Sequence, residues 1–262
     1  QYGNEKFSQL DLIQALRRAD GLLCTVSDQL SDKILSTVPK KTKIISNFGV
    51  GVSNIDLKAA QNEKLVVTNT PDVLTDSTAD IALYLILATS RRTSFLETKL
   101  RKNEWTGFSI VDDLGVSLRG KTLGVIGMGR IGQATAMRAN KALGMEIIFY
   151  NRSTLSSLDI EAYQAKSLEE LLRKSDVVSV HAPGGGAQPI IMEEHINQMK
   201  TSAFLINTAR GDVIDQNALI KALTNKSIAG AGLDVFDNEP HIPVELMSLE
   251  NVTLLPHIGS AT

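Results

Sequence analysis

The amino-acid sequence predicts an α/β fold in which a doubly wound parallel sheet forms the larger of two domains. Short apolar, β-branched runs alternate with helix-like segments along the whole chain, which is the pattern of parallel strands joined by crossover helices. These units fall into two groups, residues 1–98 and 99–262, and the second group contains six strand-like runs. Six strands with intervening helices are typical of a doubly wound sheet.

The first group, residues 1–98, predicts three strands and two helices. An apolar stripe at residues 12, 13 and 16 predicts a helix, and strand-like runs follow at Leu22–Val26, Lys43–Ser46 and Leu65–Thr68. Residues 76–100 predict one long helix that Asp76 or Ser77 can cap. The first half of this helix is apolar on almost every side, so we expect it to be buried between the two domains.

The second group, residues 99–262, predicts strands at Thr122–Gly127, Glu146–Tyr150, Val177–His181, Ala203–Asn207, Ile228–Asp234 and Val252–Leu255. Ser167 and Glu170 have the spacing of a capping box at the start of one intervening helix. Parallel strands place their carboxyl ends on one edge of the sheet, and ligands of open α/β sheets bind beyond that edge. Functional residues are therefore expected just after the strands.

Composition and charge argue against several classes of function. The 262 residues carry a formal net charge of −2, so the basic surface typical of nucleic-acid-binding proteins is not expected. The longest uninterrupted apolar run, Ile81–Ala88, is too short to span a bilayer. The lone Cys24 can form no internal disulfide, which favours a reducing, cytoplasmic location. No His/Cys cluster has the spacing of metal ligands, and no metal is expected.

Residues 127–132, Gly-Met-Gly-Arg-Ile-Gly, follow a predicted strand and open a predicted helix. Gly127, Gly129 and Gly132 have the spacing of dinucleotide-binding proteins. The first glycine allows a tight turn, the second lets a pyrophosphate approach the backbone, and the third lets the helix pack closely on the strand. This context predicts a dinucleotide site in a Rossmann-type domain, and the alternative is a glycine-rich turn without a ligand.

The strand after this motif ends at residue 150, where a dinucleotide-binding fold commonly places an acid that binds the ribose 2′-hydroxyl. This chain has Asn151, Arg152 and Ser153 there. A carboxylate would repel a 2′-phosphate, whereas an amide, a guanidinium and a hydroxyl can hold one. The stretch predicts NADP(H) rather than NAD(H), unless Arg152 is only a solvated surface charge.

Three polar residues, Arg210, Glu239 and His257, each follow a different predicted strand, so the topology places them on one rim. Their chemistry is complementary for the reduction of a 2-keto acid. His257, as an imidazolium, can donate a proton to the carbonyl oxygen, and Glu239 can orient the ring and favour its charged form. Arg210 can hold the substrate carboxylate and polarise the carbonyl. Taken singly, each could also be an ordinary loop or surface residue.

In the first group, residues 47–52 follow a predicted strand and carry two glycines. Such a turn can present consecutive backbone N–H groups to an anion. We expect Val50 and Gly51 to bind the other side of the substrate carboxylate. A plain glycine turn explains these residues equally well.

Together these residues resemble the D-isomer-specific 2-hydroxyacid dehydrogenase family over nearly the whole chain. The ordered set Arg210, Glu239 and His257 is the most specific part of the resemblance. The Asn151–Ser153 stretch is most similar to the NADP-preferring glyoxylate/hydroxypyruvate reductases of that family. The matching segments are GVGVSNIDL at 49–57, TNTPDVLTDSTADIAL at 68–83, GKTLGVIGMGRIGQ at 120–133, INTARGDVID at 206–215, GLDVFDNEP at 232–240 and LPHIGSAT at 255–262.

The resemblance implies further residues of the cofactor site: Met128, Gly129, Arg130 and Ile131 at the pyrophosphate, Ala182 and Pro183 near the adenosine, and Thr208, Ala209 and Gly259 at the nicotinamide ring. It also implies that Asp234 bonds the nicotinamide carboxamide, that His257 contacts the cofactor, and that Thr78 approaches it from the first domain. Gly184–Gly186 depart from the Pro- and Thr-containing linker that is usual in the family, which leaves the adenosine edge open.

The resemblance also implies an activity, an architecture and an assembly. The activity is hydride transfer from NADPH to a small 2-keto acid, glyoxylate or hydroxypyruvate, to give a D-2-hydroxy acid. The architecture is a Rossmann-type cofactor domain at 99–262 and a smaller flavodoxin-like substrate domain at 1–98, with the chain expected to be truncated at both ends. Family members are usually homodimers built through the cofactor domain, so we expect a homodimer with the segment around Trp105 near the contact.

Other activities stay open at this point. An NAD-dependent D-lactate or 3-phosphoglycerate dehydrogenase has the same architecture, although both usually carry an acid at position 151. A dinucleotide-sensing interaction protein, similar to the C-terminal-binding-protein co-repressors, has the same fold and similar residues, and fold alone does not separate it from an enzyme.

Overall fold

The computed structural model describes residues 7–36, 40–155 and 157–262. The contacts divide the chain into two compact units, Gln1–Leu74 and Thr75–Thr262. The division lies at residue 74 and not at the predicted residue 98, because the helix that begins at Thr75 packs on strands of the second unit.

The first unit is a three-stranded parallel sheet with the order β1-β2-β3, formed by β1 (Gly21–Thr25), β2 (Ile44–Phe48) and β3 (Val66–Thr68). Its helices are α1 (Gln9–Arg18), α2 (Asp32–Ser36) and α3 (Leu57–Asn62). Ser8 and Asp11 form a capping box at the start of α1, and Asp56 caps α3. The core of this unit includes the fully buried side chains Leu16, Leu30, Leu35 and Ile45.

The predicted helix at 76–100 is two helices, α4 (Thr75–Ser90) and α5 (Thr93–Arg101), so the prediction of one continuous helix is wrong. Arg92 adopts a left-handed conformation with φ 53°, which a right-handed helix cannot continue through. The Ser90 carbonyl at the end of α4 accepts the Val116 N–H at 2.8 Å. The break is therefore held by a contact from a later segment, which helical periodicity does not reveal.

The second unit contains a seven-stranded sheet whose strands are all parallel and whose order is β10-β9-β8-β7-β4-β5-β6. The strands are β4 (Thr122–Ile126), β5 (Glu146–Tyr150), β6 (Tyr163–Gln164), β7 (Val177–Val180), β8 (Phe204–Asn207), β9 (Gly230–Leu233) and β10 (Val252–Leu254). The six predicted strands are confirmed. The seventh, β6, has only two residues and is too short to give an alternating or apolar pattern.

The sheet of the second unit is covered on both faces, as parallel sheets usually are. Its helices after α5 are α6 (Arg130–Leu143), α7 (Leu168–Lys174), α8 (Glu193–Ile196), α9 (Gln216–Thr224) and α10 (Val244–Met247). Leu85 and Ile86 of α4 belong to the same apolar cluster as Val125 and Ile206 of the sheet, and a second cluster includes Leu171 and Leu219. Among the described residues, no helix combines the length and apolarity needed to cross a membrane.

The predicted capping box at α7 has the hydrogen bond to Ser167 but not the reciprocal one to Glu170. Ser167 Oγ accepts the Glu170 N–H at 3.2 Å. The Glu170 carboxylate instead accepts the Lys166 N–H and bonds Lys174. Those contacts, together with the Tyr163 hydroxyl, lower the pKa of Glu170 to about 2, with the Lys174 hydrogen bond as the largest cause.

Candidate active site

The predicted nucleotide crevice lies where the strand order reverses, between β4 and β7. Gly127 follows β4 with φ +90°, and a Cβ placed there would lie 2.9 Å from the Ala182 nitrogen, which follows β7. Only glycine combines this conformation with this close approach. The first glycine of the motif therefore sets the width of the crevice.

Gly129 and Gly132 have the two other roles expected of the motif. A Cβ on Gly132 would lie 2.2 Å from the Gly127 carbonyl oxygen, so this glycine allows α6 to pack against the turn. A Cβ on Gly129 would find no atom within 4 Å, and no side chain caps α6 at this position. The start of α6 has no side-chain cap, and an anion can bind at such a helix N-terminus.

The residues around the second glycine differ in how they could contact a nucleotide. The Met128 side chain is buried in the core, and the Met128 carbonyl accepts a hydrogen bond from the Gln133 amide at 3.1 Å. Only its backbone N–H is left for a ligand. Arg130 is exposed and Ile131 is partly exposed in the first turn of α6.

The loop after β5 is ordered by two amide side chains. Asn151 Nδ2 donates to the Ser153 carbonyl and to Ser153 Oγ, both at 3.2 Å. Gln164 Nε2 donates to the same carbonyl at 3.1 Å, and Gln164 Oε1 accepts the Leu155 N–H at 3.3 Å. Gln164 lies on β6, the strand that sequence patterns missed. Arg152 and Ser153 are exposed on this loop.

The loop after β8 carries Thr208, Ala209 and Arg210 and is clamped by Asn207, a buried residue that sequence reasoning missed. Asn207 Oδ1 accepts the Ala209 N–H at 3.0 Å, and Asn207 Nδ2 donates to the Arg210 carbonyl at 2.8 Å. Arg210 Nη1 donates to the Ala209 carbonyl at 2.6 Å. The Thr208 hydroxyl oxygen is buried without a hydrogen-bond partner in the part of the chain that is described.

Gly211 brings the Arg210 loop against the loop after β9. A Cβ on Gly211 would lie 1.9 Å from the Phe236 carbonyl carbon and 2.3 Å from the Asp237 nitrogen. No larger residue fits between these backbones. This contact places Arg210 near enough to Glu239 for its charge to lower the Glu239 pKa.

Glu239 and His257 form the central contact of the site. His257 Nδ1 lies 2.6 Å from Glu239 Oε2, and Glu239 Oε1 accepts the Phe236 N–H at 2.9 Å. Burial raises the pKa of Glu239, but the hydrogen bonds from His257 and Phe236, with the charges of His257 and Arg210, outweigh it and hold this pKa below its usual value. Glu239 is therefore an anion at neutral pH, bound to Nδ1 of the imidazole.

Asp234 positions the backbone that follows His257. Its carboxylate accepts the Ile258 N–H at 2.8 Å and the Gly259 N–H at 2.7 Å. His257 itself has φ 56°, so the chain turns sharply at this residue. The Asp234 side chain is buried, and burial raises its pKa despite these two donors. In this structure Asp234 holds the His257 loop, and its bond to a carboxamide stays a prediction.

The remaining predicted residues of the second unit lie on the same edge of the sheet. A Cβ on Gly259 would be 2.9 Å from Asp234 Oδ2 and 3.5 Å from Thr78 Cγ2, so Thr78 lies beside the His257 loop. The sequence predicted that Thr78 belongs to the first domain, but it lies in the second unit. Ala182 lines the crevice, and Pro183 after it is exposed.

Two of the three consecutive glycines after Pro183 contact the Arg210 loop. A Cβ on Gly184 would lie 2.2 Å from Asp212 Oδ1 and 2.8 Å from Arg210 Cβ. The Gly185 N–H donates to Asp212 Oδ2 at 2.6 Å. The structure thus gives a reason for glycine at position 184, namely the close approach of Arg210 and Asp212, which the sequence did not indicate.

The loop with Val50 and Gly51 belongs to the first unit. The Val50 carbonyl accepts Asn69 Nδ2 at 2.8 Å, and the Gly51 carbonyl accepts Asn47 Nδ2 at 2.7 Å. Within the described residues, the N–H groups of Val50 and Gly51 have no protein acceptor. The loop can present these two N–H groups to an anion. Binding of the substrate carboxylate there stays a prediction.

A dinucleotide fits the residues of the second unit. The crevice at Gly127, the open space at Gly129 and the uncapped start of α6 suit a pyrophosphate. The Thr208 hydroxyl is a buried polar group for which a bound ligand can provide a partner. Among the described residues, no group of three or more His, Cys, Asp or Glu side chains could hold a metal ion.

Comparisons with known proteins agree with this geometry. The family model "D-isomer specific 2-hydroxyacid dehydrogenase, NAD binding domain" matches residues 83–259. The glyoxylate reductase of Thermococcus litoralis is 46% identical over 257 residues, which is 96% of this chain and 77% of that protein.

Two solved structures are similar in fold. A glyoxylate reductase from Paecilomyes thermophila has a TM-score of 0.88 at 34% identity and covers 98% of this chain and 80% of its own. The NADPH-dependent glyoxylate/hydroxypyruvate reductase of Sinorhizobium meliloti, in complex with NADP and malonate, has a TM-score of 0.85 at 36% identity and covers 94% of this chain and 76% of its own. The sequence match, the fold and the Glu239–His257 pair together show that this chain belongs to the D-isomer-specific 2-hydroxyacid dehydrogenase family.

Proposed function

We propose that this protein reduces a small 2-keto acid, glyoxylate or hydroxypyruvate, to the D-2-hydroxy acid and uses NADPH as the hydride donor. The observation that carries the proposal is the 2.6 Å contact between His257 Nδ1 and Glu239 Oε2. A carboxylate on one ring nitrogen leaves the other, Nε2, to hold and deliver a proton. The glyoxylate reductase relatives support the choice of substrate.

The residues divide the chemistry among them. The bound nicotinamide supplies the hydride. His257 donates the proton to the carbonyl oxygen as negative charge develops there, and the Glu239 anion stabilises the imidazolium before transfer. Arg210 binds the substrate carboxylate through the guanidinium N–H groups that the Ala209 carbonyl does not accept. In the first unit, Val50 and Gly51 donate backbone N–H groups to a carboxylate.

The preference for NADPH rests on the loop after β5. In the described part of the chain the exposed Arg152 has no ion-pair or hydrogen-bond partner, and Ser153 Oγ accepts from Asn151, which leaves the serine O–H proton to donate. A 2′-phosphate would accept from both side chains. The Asn151 amide is already engaged within the loop, so we assign it to ordering the loop and not to binding the phosphate.

We also propose a homodimer that forms through the second unit. Residues 102–117 follow α5 and expose several large apolar side chains, namely Trp105, Phe108, Ile110, Val111 and Leu114. An apolar groove of about 530 Å³, lined by Tyr84, Leu87, Leu96 and Leu100 among others, lies along α4 and α5. Exposed apolar surface on this scale is typical of protein interfaces. The cytoplasmic location stays a prediction.

The experiment is a set of initial rates with glyoxylate, hydroxypyruvate and pyruvate, each with NADPH and with NADH, for wild type, His257→Ala and Arg210→Ala. We expect turnover of glyoxylate with NADPH, and losses of kcat/KM of about 100-fold or more in both variants. A preference for NADH with pyruvate would favour a D-lactate dehydrogenase. Nucleotide binding without turnover of any keto acid would favour a dinucleotide-sensing interaction protein.

A further inference from the structure

The loop 49–52 of the first unit has three consecutive backbone carbonyls that are all held by protein donors. The Gly49 carbonyl accepts the Thr70 N–H at 3.1 Å. The Val50 carbonyl accepts Asn69 Nδ2 at 2.8 Å, and the Gly51 carbonyl accepts Asn47 Nδ2 at 2.7 Å. Two of the three donors are asparagine side chains: Asn47 begins the turn predicted from the sequence, and Asn69 was not predicted to belong to a site.

Each held carbonyl fixes the direction of the next N–H group. A trans peptide is planar, so the N–H of residue i+1 points opposite to the C=O of residue i. Thr70 therefore orients the Val50 N–H, Asn69 orients the Gly51 N–H, and Asn47 orients the Val52 N–H. Within the described residues these three N–H groups have no protein acceptor. Each N–H points away from the donor that holds its own peptide group.

We propose that Asn69 is a positioning residue of a backbone receptor for a small carboxylate, in which Val50, Gly51 and Val52 supply the N–H donors. The inference rests on the proposed function, because it assigns the carboxylate of the 2-keto acid to this loop. It adds Val52 as a third N–H donor. It also states that the Asn69 side chain orients the Gly51 N–H.

The two asparagines differ in how cleanly they can be tested. Asn47 is 1% exposed, and its Oδ1 also accepts Asn54 Nδ2 at 3.1 Å and lies 3.4 Å from the Cys24 thiol. Removing Asn47 leaves several buried groups without partners, which destabilises the unit as a whole. Asn69 is exposed, and its substitution removes the hydrogen bond to the Val50 carbonyl. Asn69 is therefore the residue to change.

The test compares Asn69→Ala, Asn69→Asp and the control Asn62→Ala, an exposed asparagine at the end of α3 in the same unit. In Asn69→Ala we expect the KM for glyoxylate to rise about 3- to 10-fold, the value of one hydrogen bond, with an unchanged KM for NADPH. Asn69→Asp cannot donate to the Val50 carbonyl and places a negative charge against that carbonyl oxygen, so its KM should rise further. Asn62→Ala should match wild type.

Calorimetric titration with oxalate, in the presence of NADP, gives a readout that needs no turnover. Oxalate should bind the Asn69 variants more weakly than wild type by the same factor as the change in KM. Equal oxalate affinity and equal glyoxylate KM in wild type and Asn69→Ala would overturn the inference. An equal rise in the KM values for glyoxylate and for NADPH would also overturn it, because that result indicates a merely structural role for Asn69. Failure of the proposed function would give a different result, because the wild type would then reduce no 2-keto acid. The oxalate titrations would still show whether Asn69 affects carboxylate binding at the loop.

Discussion

His257 Nδ1 and Glu239 Oε2 lie 2.6 Å apart, and further hydrogen bonds hold the Glu239 side chain and the backbone that follows His257. Glu239 accepts the Phe236 N–H through its other oxygen, and Asp234 accepts the two N–H groups that follow His257. Contacts within the protein are therefore sufficient to form the pair. Preorganised charge of this kind needs no rearrangement during the reaction.

Glu239→Gln should lower kcat/KM for glyoxylate by about 10- to 100-fold, because the amide keeps the hydrogen bond but not the charge that stabilises the imidazolium. The measurement is kcat/KM for glyoxylate with NADPH at one fixed pH, together with the thermal stability of the same samples. Glu245→Gln, an exposed acid on α10, is the control. An unchanged kcat/KM in Glu239→Gln would show that the carboxylate only supports the loop.

Arg152→Asp should raise the KM for NADPH by about 10- to 100-fold and leave the KM for NADH little changed, because a carboxylate repels the 2′-phosphate that only NADPH carries. Arg119→Asp makes the same charge change at another exposed arginine of the second unit and should leave both values unchanged. Equal NADPH affinity in wild type and Arg152→Asp would contradict binding of the 2′-phosphate by this side chain.

Gly129→Ala and Gly132→Ala should separate cofactor binding from stability. An added Cβ at Gly129 meets no protein atom within 4 Å, so thermal stability should be retained while nucleotide affinity falls. An added Cβ at Gly132 lies 2.2 Å from the Gly127 carbonyl oxygen, and this overpacking should cost about 1–3 kcal/mol in the free energy of unfolding. Denaturant titration and nucleotide titration on the same samples measure both effects. Normal NADPH affinity in Gly129→Ala would mean that the pyrophosphate lies elsewhere.

His181 should make the folded state less stable in acid. Burial lowers its pKa from 6.5 to about 4, so the unfolded chain binds the additional proton between these values. The contribution of His181 to the free energy of unfolding is therefore complete above pH 6.5 and is lost progressively as the pH falls towards about 4. Denaturant titrations of wild type and His181→Asn across this range give the comparison. The variant should show the shallower dependence, and identical slopes would contradict the assignment.

Sequence patterns predicted the elements whose signals are local. The glycine spacing at 127–132, the six longer strands and the rim positions of Arg210, Glu239 and His257 each follow from a few neighbouring residues and the rule that parallel strands end on one edge. The left-handed residue at Arg92 and the two-residue strand β6 have no such signal, because contacts from residues elsewhere in the chain stabilise them. Gln164 and Asn207, which order the loops of the site, were missed for the same reason.

By itself, the sequence determined the family, the doubly wound sheet and the rim positions of the candidate reacting groups, because turn chemistry and periodicity are properties of neighbouring residues. The tertiary structure alone decided that Glu239 bonds His257 Nδ1, that Gly211 brings the Arg210 loop onto Phe236, and that Asn69 holds the Val50 carbonyl. Hydrogen bonds act over about 3 Å, and the path of the chain between strands decides which distant side chains come that close.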